Sequence, residues 1–256
     1  MSLLFGLEAP ASSDGYGAEK DEAREIQNSL MPSGTLRTAS VEIAYRFSPF
    51  AEVGGDFADF YILPNGIAGL YIGDDVGKGL AAAMYAALVM GMLRGINKTG
   101  EQTAAVLATL NKRLLVRPVL GRFATTLYAV YDSTSRELTF SNAGMPYPLL
   151  ACGSNCRQLQ EGGLPSGMFP GSSYDTHRVC LSPGDSVLFA TDGLHELQGA
   201  NGDDFGWQRM ADIWRECQGM SADESLQSLL REAKNFAVGG LQHDDITAIA
   251  LKIPRL

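Results

Sequence analysis

Histidine and cysteine are scarce in this chain, positive charge is in deficit, and no hydrophobic run is long; each shortage closes off a class of function. Three histidines and four cysteines in 256 residues offer little material for a thiolate–imidazole zinc cage. Cys152 and Cys156 form the closest pair, and no companion Cys/His pair stands at ligand spacing. The set Cys152, Cys156, Cys180 and Cys217 is also too sparse for a disulfide scaffold, so reduced thiols and a cytoplasmic location are expected. Lys and Arg number 20 against 29 Asp and Glu, a formal charge of −9, with no basic stripe. Neither nucleic acid nor an anionic membrane is therefore an expected partner. Residues 80–93 are all apolar or small but fall short of the ~20 residues that cross a bilayer, and they read as a buried helix. The N-terminus lacks a basic region followed by a long apolar core, so no signal peptide is expected. The G-x-S-x-G elbow of serine hydrolases is absent, as is a Cys-based phosphatase loop. Gly77-Lys78-Gly79 lacks the frame of a nucleotide-binding P-loop.

What is present suits one large domain, since 45% of the residues are apolar and the length matches a single core. Residues 1–18 show no period and read as a leader or linker. Residues 19–34 read as a linker helix ended by Pro32-Ser33-Gly34, and 35–256 as the folded domain. Strands are expected at 41–47, 57–63, 66–72, 124–131, 137–141, 147–151, 186–191 and 245–253, with weaker ones near 156–159 and 176–181. A Pro64-Asn65-Gly66 turn joins the second and third. Helices are expected from Gly79 onward, at 103–116, at 207–217, and after a capping box at Ser221-Ala222-Asp223-Glu224. Paired helices separated by strand meanders imply an α+β fold.

The chemistry concentrates in acidic turns beside apolar strands. Val53-Gly54-Gly55-Asp56-Phe57-Ala58-Asp59-Phe60 is followed by Ile72-Gly73-Asp74-Asp75-Val76-Gly77-Lys78-Gly79. Near the C-terminus come Ala190-Thr191-Asp192-Gly193-Leu194 and Gln242-His243-Asp244-Asp245-Ile246-Thr247. One Asp-Gly pair marks a surface turn and nothing more. Repeated strand-end aspartates without a Cys/His cluster suit a hard divalent cation such as Mg²⁺ or Mn²⁺.

These segments resemble, in order and over residues 22–253, the sporulation protein IIE-like branch of the metal-dependent (type 2C, PPM) serine/threonine phosphatases. That branch carries V-G-G-D-x-x-D-F, then G-D-x-x-G-K-G, then T-D-G, then D-D-x-T. The resemblance implies a four-layer α/β/β/α sandwich with the site between two sheets. It implies two Mn²⁺ or Mg²⁺ ions held by Asp56, Asp74, Asp192 and Asp244 and by the backbone carbonyl of Asp75. Asp59 and Asp245 match further acidic positions, for which a supporting role, a third metal and plain structural hydrogen bonding all stay open. Such ions supply charge neutralisation and an activated water to phosphoryl transfer.

The expected substrate is phosphoserine or phosphothreonine on an anti-sigma-factor antagonist, in partner switching. The resemblance also implies an upstream sensory or receiver domain, joined in cis or acting in trans, and leaves open a homodimer through the N-terminal helix. The rival reading is a catalytically silent phosphatase fold that docks a signalling partner. The chain departs from the pattern at Asp75-Val76: more distant relatives place a histidine acid where Val76 stands. Asp75 is expected to face solvent, Lys78 to be solvated and His243 to be an exposed loop residue, while His177 and His195 carry no pattern.

Overall fold

Strands rich in apolar residues assemble two antiparallel sheets in the computed structural model, which describes residues 13–63, 66–96, 102–240 and 242–255. The six-stranded sheet runs in the order β1 (Thr35–Arg37), β2 (Glu42–Ser48), β11 (Ile246–Lys252), β10 (Ser186–Ala190), β7 (Leu149–Cys152) and β8 (Asn155–Gln158). The five-stranded sheet runs β3 (Phe57–Ile62), β4 (Ala68–Asp75), β5 (Ala124–Asp132), β6 (Glu137–Ala143) and β9 (His177–Cys180). Their inner faces meet through Ile43, Phe189 and Leu251 on one side and Leu70, Ile72, Leu127 and Phe140 on the other. β10 and β11 are buried along their whole length because they lie inside their sheet and are covered on both faces.

Helices close the outer faces. α2 (Leu80–Ile96) and α3 (Thr103–Leu114) pack on the five-stranded sheet through Val89, Leu93, Leu107 and Leu110. α5 (Gly206–Glu216) and α6 (Ala222–Phe236) pack on the other sheet through Met210, Trp214, Leu226 and Leu229. The result is the expected α/β/β/α sandwich. The capping box that opens α6 is present, with Ser221 and Glu224 satisfying each other's backbone N–H groups.

Several expectations need correction. α1 (Ser13–Leu30) begins before residue 19 and takes in part of the stretch read as a leader; residues 1–12 lie outside the described residues, as do Pro64 and Asn65 of the expected turn. α2 is not buried all round: Ala82, Ala86 and Val89 face inward, whereas Leu80, Met84 and Leu88 are 58%, 68% and 46% exposed. Its small residues allow close approach on one face only. Two short elements carried no readable pattern, namely β1 and the single turn α4 (Asp192–His195). Both are too short for a period to declare itself.

Candidate active site

Sheet register carries the acidic turns to one end of the sandwich. β3 and β4 pair with Phe57 opposite Gly73, which sets Asp56, just before β3, beside Asp74 at the end of β4. β10 and β11 pair with Ala190 opposite Ala248, which sets Asp192, at the start of α4, beside Asp244 just before β11. The carboxylates feel one another. Burial first, and then Asp192, Asp244, Asp245 and Asp75, raise Asp74 to about 8. Burial and the Asp74 charge raise Asp56 well above the usual carboxylate range, partly offset by a 2.9 Å bond donated by the Thr191 hydroxyl. Burial and Asp244 raise Asp192.

Asp245 is the keystone of the turns rather than a surface residue. It is 3% exposed and accepts from the Gly55 N–H at 2.7 Å and the Phe50 N–H at 2.8 Å. The neighbouring glycines follow from this closeness. A Cβ on Gly54 would stand 2.0 Å from the Asp245 carboxylate, and one on Gly193 would stand 2.0 Å from the Asp245 carbonyl oxygen. The Gly-Gly-Asp turn thus packs on the Asp245 carboxylate and the Thr-Asp-Gly turn on its backbone, so that the three turns interlock at one residue. Gln27 of α1, which sequence reasoning passed over, holds the same loop: its amide donates to the Gly54 carbonyl at 2.7 Å and accepts from the Gly54 N–H at 3.0 Å.

Asp75 contradicts the solvent-facing expectation. It is 1% exposed and pairs with Arg122 at 2.8 Å, leaving its second oxygen buried and, among the described residues, without a hydrogen-bond partner. Burial outweighs the Arg122 charge and pushes it up to about 6. Lys78 is not merely solvated: its ammonium lies 2.9 Å from Asp244, donates to the His243 carbonyl and sits over the Phe50 ring. Asp59 is not brought to the cluster. Its carboxylate takes the Arg94 guanidinium at 2.8 Å, and Arg94 in turn donates to the Leu30 carbonyl at the end of α1. His243 is exposed, with Nε2 2.8 Å from Gln198, and His177 pairs with Glu161 at 3.2 Å.

A cleft of about 670 Å³ opens beside Asp74 and Asp192. Met145, Pro146, Tyr147, Gly162, Gly163, His195 and Trp207 contribute to its walls. His195, to which the sequence assigned no role, stacks on Trp207 with ring centroids 4.2 Å apart. The available signal was its place three residues after Asp192, one turn along the same helix.

The residues fit divalent cations by chemistry rather than by a closed cage. Among the described residues no three His, Cys, Asp or Glu side chains already surround one point. The donors are nonetheless hard oxygens in mutual repulsion, and a Cβ on Gly55 would stand 3.0 Å from the Asp75 carbonyl oxygen and 3.2 Å from Asp74 Oδ1. Only glycine leaves those two oxygens uncovered.

The raised Asp74 has a pH consequence for the metal-free chain. The unfolded chain gives up this proton near 3.8, whereas the folded chain keeps it to about 8. The folded form is therefore favoured below the lower value, and that stability is lost as pH rises through the upper one. Thermal unfolding in chelator is expected to show a Tm that falls between pH 5 and pH 8.5, with the fall diminished in Asp74→Asn.

Comparison with known proteins agrees with this architecture. The family model for Stage II sporulation protein E matches residues 64–254. The chain is 24% identical over 243 residues to the phosphoserine phosphatase RsbU of Bacillus subtilis (strain 168), covering 92% of this chain and 70% of that protein. It is 25% identical over 261 residues to protein IcfG of Synechocystis sp. (strain ATCC 27184 / PCC 6803 / Kazusa), covering 91% of this chain. The chain spans only 41% of the length of IcfG. The solved SiaA-PP2C domain of Pseudomonas aeruginosa superposes with a TM-score of 0.83 at 23% identity, covering 96% of this chain and 99% of that one.

Proposed function

Since the chain belongs to the Stage II sporulation protein E (SpoIIE) family, we propose that it hydrolyses phosphoserine or phosphothreonine on a regulatory protein, of the anti-sigma-factor-antagonist type. Two Mn²⁺ or Mg²⁺ ions, when bound, supply charge neutralisation on the phosphoryl group and an activated water. Asp56, Asp74, Asp192 and Asp244 would hold them through their carboxylates, and Asp75 through its backbone carbonyl.

The observation that carries this reading is the gathering of Asp56, Asp74 and Asp192 at one end of the sandwich, all raised by burial and then by neighbouring carboxylates, with Asp74 and Asp192 lining a cleft. Such an arrangement costs folding free energy unless cations fill it. This chain's other residues prepare the place. Asp245 and Gln27 fix the loop that carries Asp56, and Arg122 anchors Asp75 so that its carbonyl keeps one direction. Lys78 balances Asp244, an ammonium that an incoming phosphate oxygen could share. No histidine stands at Val76 to protonate the leaving alkoxide, so solvent water in the open cleft takes that part.

The test is phosphate release from a phosphoserine protein or peptide with Mn²⁺ and with chelator. Turnover with Mn²⁺ that vanishes in chelator is expected. Equal release under both conditions, or none with any phosphoserine substrate while the chain binds a signalling protein, would support the silent docking module instead.

A further inference from the structure

The cleft continues beyond the aspartates into a wall that the hydrolysis of a phosphate ester does not require. Met145, Pro146, Tyr147 and Trp207 give it carbon surface next to Asp74 and Asp192. Trp207 is half-buried and Tyr147 is 39% exposed, so both rings retain face or edge toward the cleft.

The wall is built, not incidental. Asn142, 3% exposed, donates its amide to the Met145 carbonyl and the Glu161 carbonyl, each at 2.9 Å, and accepts from the Met145 N–H at 2.8 Å. One buried amide thereby ties the 144–147 turn to the 161–163 segment. Gly163 packs so closely there that a Cβ would stand 2.5 Å from the Asn142 carbonyl oxygen. Across the cleft, His195 supports the Trp207 ring by stacking. Met145 is tied to the acidic end as well, because the Thr125 hydroxyl lies 3.2 Å from its sulfur and 3.3 Å from the Asp74 carbonyl. A rigid apolar wall fixed to the reacting end can measure what lies beside the scissile phosphate.

We propose that Trp207 and Tyr147 form a specificity subsite that takes an apolar side chain next to the phosphorylated serine or threonine of the substrate. The inference rests on the phosphatase reading and deepens it. An acidic flanking residue would find no lysine or arginine among the described residues that line the cleft. A basic flanking residue would give up hydration to a surface whose charged groups belong to the reacting centre. A Leu-sized side chain replaces water over Pro146 and the two rings, the favourable exchange for such a surface.

The experiment compares hydrolysis of short phosphoserine peptides that carry Leu, Ala, Lys or Glu beside the phosphoserine. An apolar pocket separates side chains differing by a methylene or more by roughly 10–200-fold; in this open cleft, a Leu-over-Ala preference in kcat/KM of about tenfold is expected. In Trp207→Ala and in Tyr147→Ala that ratio should fall below about twofold; circular dichroism would confirm that each variant is folded. A binding readout stands apart from turnover. The chain has two tryptophans, and Trp214 is fully buried, so fluorescence changes on adding the dephosphorylated peptides report Trp207. A saturable change with the Leu peptide and none with the Ala peptide supports the subsite even if no peptide is hydrolysed, an outcome that would overturn the phosphatase reading alone. Equal turnover of all four peptides, a preference for Lys, or a Leu preference kept in both variants would overturn the subsite and leave the phosphatase reading standing.

Discussion

Asp74→Asn is expected to abolish Mn²⁺-dependent phosphate release and at the same time to make the metal-free chain more stable. The two effects have one origin. Asp74 is surrounded by Asp192, Asp244, Asp245 and Asp75 and is largely buried, which pushes it up to about 8. Replacing its carboxylate by a neutral amide of the same shape removes a buried charge and relieves several repulsions. Above pH 8, where the wild-type group is ionised, the relief should be largest. A gain of about 1 kcal/mol would raise Tm by roughly 2–4 °C in a chain of this size. The same change removes an anionic donor from the proposed cation site. Loss of several kcal/mol of transition-state stabilisation, the contribution of a metal to charge neutralisation, corresponds to a fall of at least about 10³ in kcat/KM. Differential scanning calorimetry in chelator at pH 8.5, beside a phosphate-release assay in Mn²⁺, would reveal both. A variant destabilised in chelator would mean that the carboxylates do not strain the metal-free fold. A variant that retains its rate would remove Asp74 from the reaction.

Asp245→Ala is expected to have the opposite balance, with a large loss of stability and a loss of activity that follows from it. Its carboxylate satisfies the N–H groups of Phe50 and Gly55 at 2.8 and 2.7 Å from a position 3% exposed. Hydrogen bonds to a charged group contribute about 1.5–3 kcal/mol, and buried donors left without an acceptor add their desolvation cost. A loss of about 3 kcal/mol is expected, or a fall in Tm of roughly 6–12 °C. Because Gly55 precedes Asp56, the loop should also loosen where the proposed cation is held. Mn²⁺ affinity would then fall even at temperatures where the variant is folded. Asp245→Asn, which keeps one acceptor oxygen, should lose less of both. Urea unfolding of the three proteins with and without Mn²⁺ checks the order; an alanine variant as stable as wild type would remove Asp245 from the architecture of the site.

The contrast between these aspartates marks how far the sequence could be read. The acidic turns of Asp56, Asp74, Asp192 and Asp244 were legible as candidates because each follows or precedes a strand at a turn rich in glycine or acid; the structure brings them near one another, and their hold on cations is the proposal. Strand and helix positions were legible from apolar content and caps: β4 and β5 are apolar runs buried at most positions, and α6 opens on a capping box and buries Leu226, Leu229 and Ala233. The partners of charged groups were not. Asp75 was expected in solvent, yet it is buried against Arg122, 47 residues away on the loop that enters β5. Lys78 was expected in solvent, yet it reaches Asp244 across the meeting point of the two sheets. Asp245 and its neighbour Asp244 look alike in sequence, and only the backbone direction at the start of β11 sends one into the loop and the other to Lys78. Pairings of this kind are set by tertiary packing, to which local periodicity is blind. The His195–Trp207 stack belongs to the same class, since it joins a four-residue helix to the start of α5.

The central claim is that the acidic turns are a divalent-cation centre, and calorimetric titration of the chelator-stripped chain with Mn²⁺ tests it most directly. The account predicts saturable binding of two ions per chain at pH 7.5, proton release as the raised carboxylates are claimed by metal, and loss of at least one site in Asp74→Asn. Heats indistinguishable from buffer dilution, or binding unchanged by that substitution, would contradict it.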